Sequence, residues 1–132
     1  MKSRLIYWLT YAGMWLLALL PFRALYVLSD GFCFLMHYIV NYRRKVVRNN
    51  LHNAFPEKSE AELREIECKF YRYICDYMLE EVKMLRMSFK ELCRRMEYDN
   101  KEEYLAMIEK HGGIVLVIPH YANFEWITGM SS

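Results

Sequence analysis

No C-x-x-C pair occurs in this chain, and none of its four cysteines (Cys33, Cys68, Cys75, Cys93) stands with histidine at zinc-ligand spacing. Neither a metal nor another cofactor is therefore expected. There is no G-x-S-x-G elbow and no Cys/His pairing that would mark a covalent nucleophile. No internal repeat or low-complexity tract breaks the chain up. The net charge of +2 is too small to argue for nucleic acid, so no nucleic-acid partner is expected. Disorder is excluded by a composition that is 55% hydrophobic and 26% charged. The first apolar run is followed by PFRALY rather than a small-x-small cleavage site, which argues against a secretory signal peptide. The cysteines are then read as reduced thiols in a protein that faces the cytosol.

What is present is aromatic and apolar. Aromatic residues make up 16% of the 132, and Tyr and Trp favour positions that are half apolar and half wet, membrane interfaces among them. The stretch LIYWLTYAGMWLLALL, Leu5 to Leu20, has no charge. As a helix it reaches about 24 Å, against roughly 30 Å for a hydrocarbon core. Lys2, Arg4 and Arg23 can snorkel at its ends. A second apolar segment, Ala24 to Tyr42, is expected to be interrupted at Asp30 and Gly31. It leads into YRRKVVR, where Arg43, Arg44, Lys45 and Arg48 form a basic cluster suited to an anionic, cytoplasmic membrane surface. Residues 1–42 are expected to be membrane-anchoring helices, though the same pattern also fits two helices buried in a soluble core. Whether residues 24–42 span the membrane is left open.

From Ser59 the pattern changes. Ser59 and Glu62 form a capping box. Leu63, Ile66, Phe70, Ile74, Tyr77, Met78, Val82 and Leu85 follow at helical spacing, as one buried face. Ser88 and Glu91 repeat the capping box before a shorter helix. RRMEY, Arg94 to Tyr98, is expected as a short strand. Asn100 caps a helix that His111, Gly112 and Gly113 end. IVLVI, Ile114 to Ile118, is expected as a strand buried on both faces, and another helix follows His120. This order predicts an α/β domain, mostly helical in the part present, over residues 43–132.

His120, Tyr121, Ala122, Asn123, Phe124 and Glu125 form an H-x4-E pattern. So do His52 to Glu57, and spacing alone does not choose between them. On one continuous helix, residues five apart lie about 140° around the axis, so the side chains would not meet. The pattern works only where the histidine precedes a helix and the glutamate lies in its first turn. His120 has that context, after an apolar run and Pro119, where ligand sites of α/β sheets lie. His52 stands in a polar stretch before Pro56 and is read as a solvated or packing residue. At His120, a neutral imidazole can take a proton from a hydroxyl while Glu125 holds its other nitrogen. The implied reaction is direct attack of an acceptor hydroxyl on an activated acyl or phosphoryl group. A packed or capping histidine is the competing reading.

Taken together, these pieces resemble the bacterial lipid A biosynthesis acyltransferases, the lauroyl/myristoyl-type enzymes of the lysophospholipid acyltransferase superfamily. The carriers of the resemblance are the hydrophobic N-terminus, YRRKVVRNNLHNAFPEKSEAEL, FYRYICDYMLEEVKML and the block HYANFEW. The resemblance implies an enzyme at the cytoplasmic face of the bacterial inner membrane. It would move an acyl chain from an acyl-carrier-protein or acyl-CoA thioester to a hydroxyl of a lipid A precursor or related lipid. It also implies that His120 is the general base and Glu125 its partner, with Asn123 and Trp126 shaping the substrate site. Two departures stand out. Ala122 and Phe124 replace the Gly and Trp common in the family's block, and the family's later, arginine-bearing blocks are not in these residues. The chain is therefore expected to be an N-terminal portion, inactive alone. The alternative is a small membrane-bound interaction or scaffold protein whose His120/Glu125 pair is a relic.

Overall fold

A computed structural model describes residues 2–96 and 99–131. The chain divides into two compact units, Met1–Arg86 and Met87–Ser132. Within the first unit the N-terminal helices lie against a later one.

In the first unit, α1 (Lys2–Leu19), α2 (Phe22–Phe34) and α3 (Arg44–Ala54) all pack on the long helix α4 (Glu60–Met84). Pro21 sits at the N-cap of α2, where its fixed φ suits an extended residue before a helix. The expected break at Asp30 and Gly31 does not occur. The helix runs through both and continues as a π-helical turn, Leu35–Ile39. It ends at a turn with Asn41 (φ 53°) and Arg43 (φ 52°) in the left-handed region. Asn tolerates that conformation, and Arg does so at some cost. Asn41 Oδ1 accepts a 2.9 Å hydrogen bond from Arg44, which ties the turn to the start of α3.

The start of α4 follows the sequence closely. The Ser59 hydroxyl accepts from the Glu62 backbone N–H, and the Glu62 carboxylate accepts from the Ser59 N–H at 2.9 Å. Those hydrogen bonds from Ser59 hold the Glu62 carboxyl below its usual range. We expect Ser59→Ala to destabilise α4 by about 1 kcal/mol, read as a lower urea midpoint by circular dichroism. An unchanged midpoint would remove the cap from the account.

The buried face of α4 departs from expectation. Its deepest stripe is Leu63, Glu67, Tyr71 and Cys75, while Phe70, Met78 and Leu85 are exposed. The expected face gathered apolar residues alone, whereas α2 and α3 approach on a line that includes an acidic residue. The polar rim fastens α1 and α2. Lys83 donates its ammonium to the carbonyls of Ala18 and Leu20 at 2.8 and 2.6 Å, satisfying the end of α1. Arg86 lies over the Trp15 ring at 4.6 Å. Tyr26 donates to Glu80 at 2.5 Å. All four cysteine thiols are free, and burial pushes Cys75, beside Cys33, up to about 11.

In the second unit, α5 (Phe89–Arg95) and α6 (Lys101–His111) precede a 3₁₀ helix, Phe124–Ser131. Ser88 caps α5 by accepting from the Glu91 N–H at 3.2 Å. The Glu91 carboxylate turns to Arg95 and Arg94 rather than back to Ser88. Arg94 and Arg95 are the last turn of α5 and not strand; Glu97 and Tyr98 of the expected strand lie outside the described residues. Asn100 occupies the N-cap of α6 without a side-chain cap bond. Gly112 ends α6 at φ 74°, a left-handed residue as expected.

Ile114 to Ile118 forms no ladder. Among the described residues there is no strand, so the expected α/β sheet is not realised and the fold observed is mostly helical. The reason is pairing: an apolar run becomes a strand only against neighbours that take its N–H and C=O groups. Here Val115 and Val117 are 92% and 88% exposed.

Candidate functional site

Unit two holds the His/Glu block. His120 follows Pro119 in an irregular segment and is exposed. The Tyr121 N–H turns back to the Pro119 carbonyl at 2.9 Å, and Ala122 takes φ 51°. This sharp turn delivers Phe124 and Glu125 into the first turn of the 3₁₀ helix. The His120 ring rests on Phe124, centroids 4.4 Å apart at 55°. Among the described residues no hydrogen bond or ion pair links His120 to Glu125. The histidine thus precedes the helix and the glutamate lies in its first turn, as the pattern requires, but the bond between them is unmade. Catalytic hydrogen bonds often tighten only when substrate is bound. Trp126 anchors the block: it is buried, and its backbone N–H donates to the Asn123 carbonyl at 3.0 Å. Its indole N–H is buried without a partner among the described residues. Asn123 is half-buried beside it.

His52 sits differently. It lies in the last turn of α3, and its Nε2 is 3.4 Å from Glu60. Glu57, its pattern partner, lies beyond that helix. Being within a helix, His52 lacks the corner geometry that the pattern needs.

Unit one holds a second cluster, which sequence reasoning missed. Glu67 is 2% exposed and accepts from Arg44 Nε at 2.8 Å and Arg48 Nε at 2.9 Å. His37, also buried, places Nε2 at 3.3 Å from the same carboxylate. Its ring stacks on Tyr71 at 4.5 Å, and the Tyr71 hydroxyl donates to the Tyr42 carbonyl. Burial alone would push the Glu67 carboxyl up. The hydrogen bonds and charges of Arg48 and Arg44 outweigh it and hold the group below the usual range. A carboxylate so neutralised is a poor base. It is a fastener that joins the π turn, the 40–43 turn and α3 to α4. One signal in the sequence points to it: Glu67 is four residues from both Leu63 and Tyr71, on the helix's apolar stripe, and Arg44 and Arg48 are one turn apart.

The basic cluster expected at a membrane surface is therefore divided. Arg44 and Arg48 commit their Nε groups to Glu67, whereas the side chains of Arg43 and Lys45 are exposed and make no hydrogen bond or ion pair among the described residues. No group of three or more His, Cys, Asp or Glu could hold a metal ion among the described residues.

A sequence profile of bacterial lipid A biosynthesis acyltransferases matches residues 1–130. The chain is 30% identical over 122 residues to a lipid A biosynthesis lauroyltransferase from Escherichia coli (strain K12). That alignment covers 90% of this chain but 40% of the relative's length. No solved structure matches the chain.

Proposed function

The chain belongs to the bacterial lipid A biosynthesis acyltransferases, and on that premise we propose that its protein transfers a fatty acyl chain from a carrier-protein or coenzyme A thioester to a hydroxyl of a lipid A precursor. The observation that carries this reading is the family match running through the HYANFEW block at a sharp turn into a helix. His120 takes the hydroxyl proton as general base, and Glu125 orients the imidazole once substrate closes the turn. Trp126 and Asn123 set the shape of that turn. The acceptor oxygen attacks the thioester carbonyl to form the ester, the C–S bond breaks, and the departing sulfur takes the proton from the His120 imidazolium to leave as the thiol. The test is a labelled-acyl transfer assay on the protein at its relatives' length, with carrier-protein and coenzyme A thioesters and a lipid A precursor. A folded protein that transfers from neither donor leaves the scaffold reading in its place.

We propose further that the reaction takes place at a membrane, on the cytoplasmic face of the bacterial inner membrane. Leu5, Ile6, Tyr7, Trp8 and Leu9 are each at least 60% exposed, an apolar and aromatic surface that water does not favour. Among the described residues no single helix is long and apolar enough to cross a bilayer. The bent pair Phe22–Ile39 and Arg44–Ala54, turned by 89°, passes on length and composition together. The charges of α3 argue against its crossing. The reading is thus a helix lying in the interface, with Arg43 and Lys45 toward anionic headgroups. The protein is expected to stay with membranes through high-salt and carbonate washes. Recovery of the intact protein in the soluble fraction would overturn this.

Taken alone, these 132 residues are expected to be inactive. IVLVI has no ladder partner among the described residues, and His120 is open to solvent, where charge on a thioester oxygen is poorly stabilised. Turnover that depends on His120 in the purified chain would contradict this.

A further inference from the structure

Between α2, the start of α3 and α4 lies a cavity of about 60 Å³ that opens to the outside, lined by Phe32, Met36, Val47, Ile74 and Met78 among others. Its wall is almost wholly apolar. Arg43 stands in that lining, held in the left-handed region at φ 52°. Its guanidinium makes no hydrogen bond or ion pair among the described residues, while those of Arg44 and Arg48 are committed to Glu67. An open, apolar cavity beside one uncommitted cation is complementary to an anionic amphiphile.

We propose that this cavity seats a run of methylenes from one acyl chain of an anionic phospholipid, with the lipid's phosphate on Arg43. Size favours an alkyl chain over a ring, since an apolar cavity of roughly 150 Å³ is what accommodates benzene. A peptide would bring N–H and C=O groups that this wall cannot satisfy. Met36 and Met78 supply the adaptability that a flexible chain requires. The Glu67 fastener has a part here too. It holds Arg44 and Arg48 inward and fixes the turn that presents Arg43. The site is distinct from the His120 block, and it rests on the lipid reading of the protein only in expecting a bilayer nearby.

The test reads binding rather than turnover, so it succeeds or fails independently of acyl transfer. The full chain in neutral detergent is titrated with phosphatidylglycerol or phosphatidylcholine and examined by native mass spectrometry. Phosphatidylglycerol is expected to be retained more strongly. Arg43→Gln should lower its retention about fivefold, the factor that one basic residue contributes near an anionic surface, and Lys90→Gln, at an exposed lysine of α5, should leave it nearly unchanged. Val47→Phe, which fills the cavity, should weaken retention of both lipids. Equal loss from Arg43→Gln and Lys90→Gln would reduce the site to general charge attraction and overturn the proposal. So would a cavity-filling variant that keeps lipid but loses a dimer, because the occupant would then be a second copy. If Val47→Phe does not fold, phosphatidylglycerol carrying a photoreactive tail decides on the unaltered chain. Crosslinks within residues 70–78 are expected, and their absence overturns the assignment.

Discussion

His120→Ala, in the protein at its relatives' length, is expected to lower acyl transfer by about 10² to 10⁴, the contribution of a positioned general base, while leaving helix content unchanged. The fold should survive because His120 is exposed and its side chain rests on the Phe124 ring at the surface. Glu125→Gln should cost less, since the amide keeps an oxygen able to accept from the imidazole. The loss in both variants should fall on kcat at least as much as on KM, because the base acts in the transition state. His52→Ala should be close to neutral, as its contact with Glu60 lies at the exposed end of α3. Near-normal turnover by His120→Ala, at unchanged membrane content, would remove the general-base assignment altogether.

Glu67→Ala is the expected large effect on stability. The carboxylate is buried against two arginines and His37, and removing it strands positive charge at the join of α3 and α4. Breaking a fully buried ion pair costs about 3 to 5 kcal/mol. Arg44 and Arg48 are 32% and 45% exposed and can rehydrate, so about 2 kcal/mol is the better figure. In a unit of this size that is a fall in Tm of about 10 °C, to be read by thermal circular dichroism in detergent. Arg44→Ala and Arg48→Ala should each cost less than Glu67→Ala, and the double variants should show coupling.

The pH dependence has a definite sign. The folded-state carboxyl lies below its unfolded value, so the folded state holds fewer protons as acid is added. Its stabilisation is fully present above the ordinary carboxylate pKa of about 4.3 and is lost as the pH falls through the lower, folded value. Glu67→Ala should accordingly narrow the gap between stability at neutral pH and in acid. If the variant melts like the parent at neutral pH, the cluster is ornamental and α3 is held by apolar contacts alone.

Much of the local structure was legible in the residues themselves. Ser59 and Glu62 announced a helix start that forms as written, and Gly112 announced a helix end. Such signals act over one turn of chain and need no partner from elsewhere. The start of a helical segment after His120 was legible for the same reason, through a nearby proline and a change of period. Family membership rests on the sequence too, as the match over residues 1–130 does not depend on packing.

Tertiary structure decided what depended on neighbours. IVLVI reads as a strand, but strand pairing is a property of two segments, and no second one is present among the described residues. Asp30 and Gly31 read as a break, yet packing of α2 on α4 carries the helix through them. The face that α4 buries was set by where α2 and α3 approach, and this drew Glu67 inward and gave it Arg44, Arg48 and His37. Composition cannot say which of four neighbouring cations will be spent on an internal carboxylate and which will remain for a ligand. That division follows from the turn at residues 40–43, whose left-handed Asn41 and Arg43 aim α3 back across α4.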